Sequence, residues 1–136
     1  ERRAIEQDCL KLVAAYAIAA DTHDAERFVG LFTEDGQWIR PKATVIGHDA
    51  LRAFMLQRPR SVLSRHVSTN ALVDVTGPDT ARGLSYATVY RQDDHAGGEA
   101  PLTGPESIVE YHDEFVRTPA GWRIGVRRSV SVFRRR

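Results

Sequence analysis

A chain of 136 residues, 42% hydrophobic and 27% charged, is long enough for one domain with its own core and too apolar to remain disordered. Its net charge of +1 excludes a general nucleic-acid footprint, and no apolar run approaches the roughly 18–20 residues of a membrane helix. Cys9 is the only cysteine, which excludes an internal disulfide.

In chain order, Glu1-Arg2-Arg3 leads straight into an amphipathic pattern with no signal-peptide core, so a cytoplasmic protein is expected. The absence of an initiator Met leaves room for residues upstream. Ile5, Cys9, Leu12, Val13, Tyr16 and Ala20 recur at helical spacing and make one apolar stripe. That helix stops near Asp21. Asp24 is a natural N-cap for a second, short helix with Glu26 in its first turn and Phe28, Leu31 and Phe32 on its buried side. Thr33 to Gly36, "TEDG", reads as a turn. "QWIR" and "ATVI" read as short strands around Arg40-Pro41-Lys42. A third helix opens at Gly47-His48-Asp49 and is closed by Pro59. Four long strands follow, Val62 to Val75, Ala81 to Gln92, Pro105 to Arg117 and Gly121 to Phe133, separated by Gly- and Pro-bearing loops. The Arg134-Arg135-Arg136 end reads as a solvated basic tail. Helices grouped before a meander of strands predict a single α+β domain over residues 1–136, with helices packed on one face of a curved, mainly antiparallel sheet and a pocket enclosed between them.

One stretch departs from ordinary strand composition. Ser64, His66, Ser68 and Asn70 share a face by alternation, and that face is too polar for a plain core. It suits a pocket wall carrying a few convergent polar groups, with Asn70 readable either as a lining residue or as a structural hydrogen bonder. On the strand "IVEYHDEFVRT", Val109, Tyr111, Asp113 and Phe115 alternate with Glu110, His112 and Glu114. The first set is assigned to the concave side and the second to the convex side. Asp21 ends the first helix, where the negative end of the dipole disfavours a carboxylate by roughly 0.3–1 kcal/mol. A compensating partner is therefore expected.

The strings "YAIAADTHDAERFVGLFTEDGQW", "VIGHDALRAF", "RHVSTN", "YHDEFVRTPAGWRI" and "RRSVSVF" together resemble the SnoaL-like branch of the nuclear transport factor 2-like superfamily. The resemblance covers nearly the whole chain and implies a cone-shaped α+β barrel. In its Asp/His pattern the chain is most similar to scytalone dehydratase and gamma-hexachlorocyclohexane dehydrochlorinase, which implies catalytic roles for Asp21 and His66. Steroid isomerases of the same fold imply an oxyanion donor at Tyr16, although a core tyrosine is an equal reading. Their base falls at Arg40, which cannot take a proton. A second histidine of scytalone dehydratase falls near Tyr86, Thr88 and Tyr90. Arg127 aligns with an arginine that assists the leaving group in the dehydrochlorinase, yet simple alternation puts it on the face opposite Ile124.

The chemistry follows from the pair. An imidazole with an ordinary pKa of about 6.5 can accept a proton at neutral pH. A carboxylate on one ring nitrogen sets the tautomer and leaves the other nitrogen as general base. The expected function is a cofactor-free lyase or isomerase with no metal, abstracting a proton for dehydration, dehydrohalogenation or double-bond migration on a small hydrophobic, cyclic or aromatic substrate. Trp38, Phe54, Met55, Asn70, Tyr86, Tyr111, Asp113 and Arg127 are the candidate substrate-binding residues, with core filling the competing reading of Trp38, Phe54 and Met55. The alternatives are a SnoaL-like polyketide cyclase with its base at Asp113, or a non-catalytic binding or assembly module such as an oxygenase small subunit. The resemblance also implies a homodimer or homotrimer formed through the convex sheet face, with neither nucleic acid nor membrane as partner.

Overall fold

Helix α1, Arg2–Asp21, buries the stripe read from the sequence in a computed structural model that describes all 136 residues. Ile5, Cys9, Leu12, Val13, Tyr16 and Ala20 are all buried. Thr22 ends the helix, and His23 takes a left-handed backbone (φ 56°) that turns the chain. His23 Nε2 donates to the Val62 carbonyl at 2.8 Å, which ties the end of α1 to the start of the long strands. Asp24 caps α2, Ala25–Gly30, accepting from the Arg27 N–H at 3.1 Å. Helix α3 spans His48–Gln57.

Six strands form one sheet in the order β2-β1-β6-β5-β4-β3. They are β1 (Phe32–Ile39), β2 (Thr44–Ile46), β3 (Leu63–Val75), β4 (Thr80–Gln92), β5 (Ser107–Thr118) and β6 (Gly121–Arg134). All neighbours pair antiparallel except β1 and β6. The four long strands lie within two residues of their expected limits. Thr33–Gly36 is not a turn as expected but an irregularity inside β1. Five steps from Phe32 to Gln37 face only two from Ile124 to Val126 on β6. Gly36 permits this fold-back, since a Cβ there would lie 2.9 Å from Phe32 Cβ.

Two smaller bulges set which residues point inward. Between Thr69 and Leu72, β3 runs three steps while β4 runs two, from Tyr86 to Leu84. Asn70 is in the left-handed region there (φ 53°), which Asn tolerates better than most residues. The extra residue switches the phase of alternation. Ser64, His66 and Ser68 share the inner face before it, and Val73 and Val75 pack on the core after it. On β6, Ile124 and Val126 face Phe115 and Glu114, adjacent residues of β5, so Gly125 is the extra residue. Ile124 and Arg127 are consequently both buried.

The concave face carries one core. Phe28 from α2, Phe32 and Trp38 from β1, Leu51 and Met55 from α3, and Tyr111, Phe115, Trp122 and Ile124 from β5 and β6 close against α1. Phe32, expected on the second helix, opens β1 because α2 ends at Gly30. Each fully buried side chain of this size stabilises the fold by roughly 1.5–3 kcal/mol relative to exposure. The α+β architecture read from the sequence is the one observed: helices on the concave side of a curved, open sheet. No helix is long and apolar enough to cross a membrane.

Candidate active site

Asp21 is the last residue of α1, and its carboxylate receives three donors from β3. Ser64 Oγ donates to Oδ1 at 2.8 Å, the His66 backbone N–H donates to Oδ2 at 2.9 Å, and His66 Nδ1 lies 2.6 Å from Oδ1. Arg58, at the end of α3, braces the arrangement. It donates to the Ala20 carbonyl at 2.6 Å and to Ser64 Oγ at 2.9 Å, placing positive charge at the C-terminus of α1. Burial alone would raise the Asp21 pKa. The His66 side chain and backbone N–H, with Ser64, outweigh it and hold the carboxyl below the usual range.

A carboxylate can only accept, so Nδ1 of a neutral His66 carries the proton and Nε2 carries the lone pair. Nε2 has no protein partner, and His66 lines a cavity of about 420 Å³. A cavity of this size suits a small organic ligand. Its apolar wall is Tyr16, Phe28, Trp38, Phe54, Met55, Val89, Val109 and Tyr111. Tyr16 is the hub, with ring centroids 5.0 Å from Phe28, 6.1 Å from Trp38 and 5.5 Å from Tyr111. Burial and the neighbouring Tyr111 phenol push the Tyr16 pKa well up, against the opposing pull of Arg127 and Arg40. Tyr16 is therefore a neutral hydrogen-bond donor. Gln57, Ser64, Ser107, Ser129 and Ser131, four arginines and Glu106 complete the polar lining.

Of the residues expected at the site, His66, Tyr16, Trp38, Phe54, Met55 and Tyr111 line this cavity, with Asp21 directly behind His66. Four others do not. Asn70 is exposed on the β3 bulge, where its backbone conformation accounts for it. Tyr86 is 38% exposed, because inward positions on β4 are the odd-numbered ones, Ala81, Ser85, Ala87 and Val89. Asp113 and Arg127 are fully buried as a pair, Nε–Oδ1 and Nη2–Oδ2 both 2.8 Å, outside the cavity lining. The Arg127 guanidinium carbon lies 4.3 Å from the Tyr16 ring centroid and 3.9 Å from that of Tyr111. This pair supports the two phenols from behind and does not reach the lining. Asp113, held by both forks of Arg127, is poorly suited to be a mobile base.

The cavity also contains polar residues that the sequence did not point to: Arg40, Gln57, Arg58, Arg91, Glu106, Ser107, Ser129, Ser131 and Arg134. Ser129 and Ser131 follow by alternation from an inward Arg127, so Gly125 as a bulge was the missing signal. Arg58 reaches Ala20 across 38 positions of chain, and no local pattern announces such a contact. The remaining histidines have other partners or none: His48 donates to the Phe32 carbonyl at 2.9 Å, and His112 pairs with Glu110 at 3.0 Å on the convex face. No three His, Cys, Asp or Glu side chains assemble as a metal-binding group.

This arrangement of helices, curved sheet and lined cavity recurs among solved structures. A function-unknown protein from Mycobacterium tuberculosis is 30% identical, with a TM-score of 0.78 over 93% of this chain and 70% of its own. An NTF2-like protein with a cystatin-like fold from Novosphingobium aromaticivorans is 28% identical, with a TM-score of 0.78 over 93% of this chain and 80% of its own. A protein from the same organism named as a candidate scytalone dehydratase is 18% identical, with a TM-score of 0.75 over 93% of this chain and 83% of its own. At that identity it shares the fold alone. No curated protein matches in sequence. The SnoaL-like domain matches residues 1–128, from the start of α1 through the Arg127 that closes the site from behind, and the chain belongs to the SnoaL-like family.

Proposed function

We propose that the protein is a lyase or isomerase in which His66 abstracts a proton from a small hydrophobic, cyclic or aromatic substrate. The observation that carries this reading is the 2.6 Å contact of His66 Nδ1 with Asp21 Oδ1, which leaves Nε2 as an acceptor on a cavity wall. In the first step Nε2 takes a proton from carbon, and the imidazolium is stabilised by Asp21, which itself stays ionised. The electron pair released at carbon then expels a β-hydroxyl, which leaves as water with the proton held by His66, or a halide, after which His66 loses its proton to solvent. Alternatively it delocalises onto an adjacent carbonyl, and His66 returns the proton at the conjugated carbon. Tyr16 is suited to donate a hydrogen bond to oxygen as that charge develops. Every step uses protein side chains, and no cofactor is invoked. The tight Asp113–Arg127 pairing weighs against the cyclase alternative with its base at Asp113, and a lined cavity weighs against a purely structural module.

The same reading takes the enzyme to be cytoplasmic and to self-associate through the convex sheet face as a homodimer or homotrimer. Val67, Leu72, Tyr86 and Val130 are exposed on that face. Light scattering at high micromolar concentration tests association, and a monomer there refutes it.

The catalytic reading is tested by incubating wild-type protein in deuterated water with a panel of cyclic hydroxy-ketones and halogenated cyclohexanes. Deuterium entering at the acidic carbon, or elimination product, is expected from wild type. Neither is expected from a folded His66→Ala variant. Undiminished turnover in that variant places the base elsewhere.

A further inference from the structure

The cavity concentrates positive charge far beyond the chain's average. The net charge of the protein is +1, yet the ionised residues of the lining are Arg40, Arg58, Arg91 and Arg134 against Glu106 alone. Two of these arginines are occupied. Arg58 bonds the Ala20 carbonyl and Ser64, and Arg91 pairs with Asp93 at 2.8 Å.

Neither Arg40 nor Arg134 makes a side-chain hydrogen bond or salt bridge, and of the two only Arg40 is set against aromatic rings: its central carbon lies 4.8 Å from the Trp38 ring centroid and 4.7 Å from that of Phe54. Those two rings line the same cavity and meet edge to face, 4.9 Å apart. The backbone beneath is held as well: the Arg40 N–H donates to the Ala43 carbonyl at 2.8 Å, and the Ala43 N–H returns to the Arg40 carbonyl at 3.4 Å. Contact with aromatic rings orients a guanidinium while leaving its in-plane N–H groups available. Two residues before Arg40, near the end of β1, the indole N–H of Trp38 is buried without an acceptor. The Trp38 ring that Arg40 covers stands 6.1 Å, centroid to centroid, from the Tyr16 ring. Arg40 therefore gives this wall a held positive charge whose N–H donors have no protein acceptor.

We infer that Arg40 is a specificity determinant that binds a carboxylate of the substrate, so that the substrate class is a hydrophobic cyclic or aromatic acid. A carboxylate matches the planar fork of a guanidinium with two parallel hydrogen bonds. The aromatic wall of Trp38, Phe54 and Tyr111 receives the apolar body. This inference deepens the proposed function and rests on its reading of the cavity as a substrate site. It needs no turnover, so the two can fail separately.

The test is calorimetric titration with 2-naphthoate, neutral 2-naphthamide and 2-naphthyl phosphate, with benzoate and cyclohexanecarboxylate as smaller acids. Wild-type protein should bind 2-naphthoate, or one of the smaller acids, at least about tenfold tighter than the corresponding amide. Arg40→Gln should abolish that preference while leaving amide affinity unchanged, and Arg40→Lys should retain part of it. His66→Ala should keep the preference intact, so a protein without base catalysis still reports on the anion site. Thermal melts establish that each variant is folded. Equal affinity for acid and amide, no binding of any of the acids, a preference that survives Arg40→Gln, or tighter binding of the phosphate than of 2-naphthoate would each overturn the assignment.

Discussion

Asp21 and Asp113 are both carboxylates held inside the cone by a cationic or ionisable partner, and the molecule uses them in opposite ways. Asp113 is sealed: its side chain and that of Arg127 are 0% exposed, and two parallel hydrogen bonds join them. Arginine does not give up its proton in proteins, so this pair is fixed in one ionisation state. Asp21 and His66 retain 9% and 16% side-chain exposure, and His66 lines the cavity. Histidine can exchange a proton near neutral pH. A partner that can take up and release a proton, together with access, turns a buried carboxylate pairing into a reactive one. Without both, the pair is scaffold. The sealed pair also supports the reactive one indirectly, because Arg127 backs Tyr16 and Tyr111, which form part of the cavity wall.

The largest effect expected from breaking this contrast is on stability. Asp113→Ala leaves Arg127 as an uncompensated charge in the core, and breaking one side of a buried pair costs roughly 3–5 kcal/mol. Arg127 Nη1 already lacks a partner, so no spare acceptor is at hand. A large fall in melting temperature is expected, and a melt within a degree or two of wild type would mean that water reaches this pair.

Next comes turnover. His66→Ala should reduce the rate on the order of 10²–10⁴-fold with a smaller change in melting temperature than Asp113→Ala. Asp21→Asn should act through the same step, because an amide can hold the wrong tautomer. The double variant should then fall little below the worse single one. Additive losses in that cycle would show that the two residues act independently. Tyr16→Phe should cost less rate than either.

A smaller effect is expected from pH. The Asp21 carboxyl is held below its ordinary pKa of 3.8. A group whose pKa is lower in the folded state contributes stability that is full above its unfolded value and lost as pH falls through the folded one. The advantage of wild type over Asp21→Asn in chemical denaturation should therefore hold from neutral pH down to the ordinary aspartate range and shrink in stronger acid. An advantage that grows on acidification would contradict the hydrogen-bond arrangement around Asp21.

The reactive pair was more legible in the sequence than its surroundings, for a physical reason. Asp21 stands where a helix C-terminus disfavours a carboxylate, and His66 stands in a strand face that is too polar for core, so each residue is locally anomalous. The helices and long strands were legible from periodicity alone. Arg127 was not, because the extra residue at Gly125 reverses the alternation on which its direction was judged. The same cause displaced Asn70, which is itself part of the β3 bulge. Tyr86 failed otherwise: the resemblance drew attention to its stretch of β4, but its strand parity points it outward. Arg40 shows a third limit. Its side chain is held by Phe54 of α3 as much as by Trp38 of the neighbouring β1, and no spacing encodes such a meeting.

The smallest expected signal compares the two regions within one experiment. Cys9 is fully buried, and its thiol pKa is pushed up to about 12 by burial, by Asp8 and by Asp113. The thiolate is the reactive form, so wild-type protein should be almost inert to thiol reagents at pH 8. Cys9 shares one buried cluster with Tyr111 and Phe115, which flank Asp113 on β5, and this makes it a native reporter on that side of the cone. Labelling in folded protein then measures how often that region opens. Asp113→Ala should speed the reaction, because loosening there exposes the thiol and removing the carboxylate lets the thiol ionise more readily. His66→Ala should leave it nearly unchanged, since the cavity side can lose its base without unsealing the other half. Equal acceleration in both variants would mean that the two pairs open as one cooperative unit, and the division between scaffold and reactive pair would then hold for chemistry but not for stability.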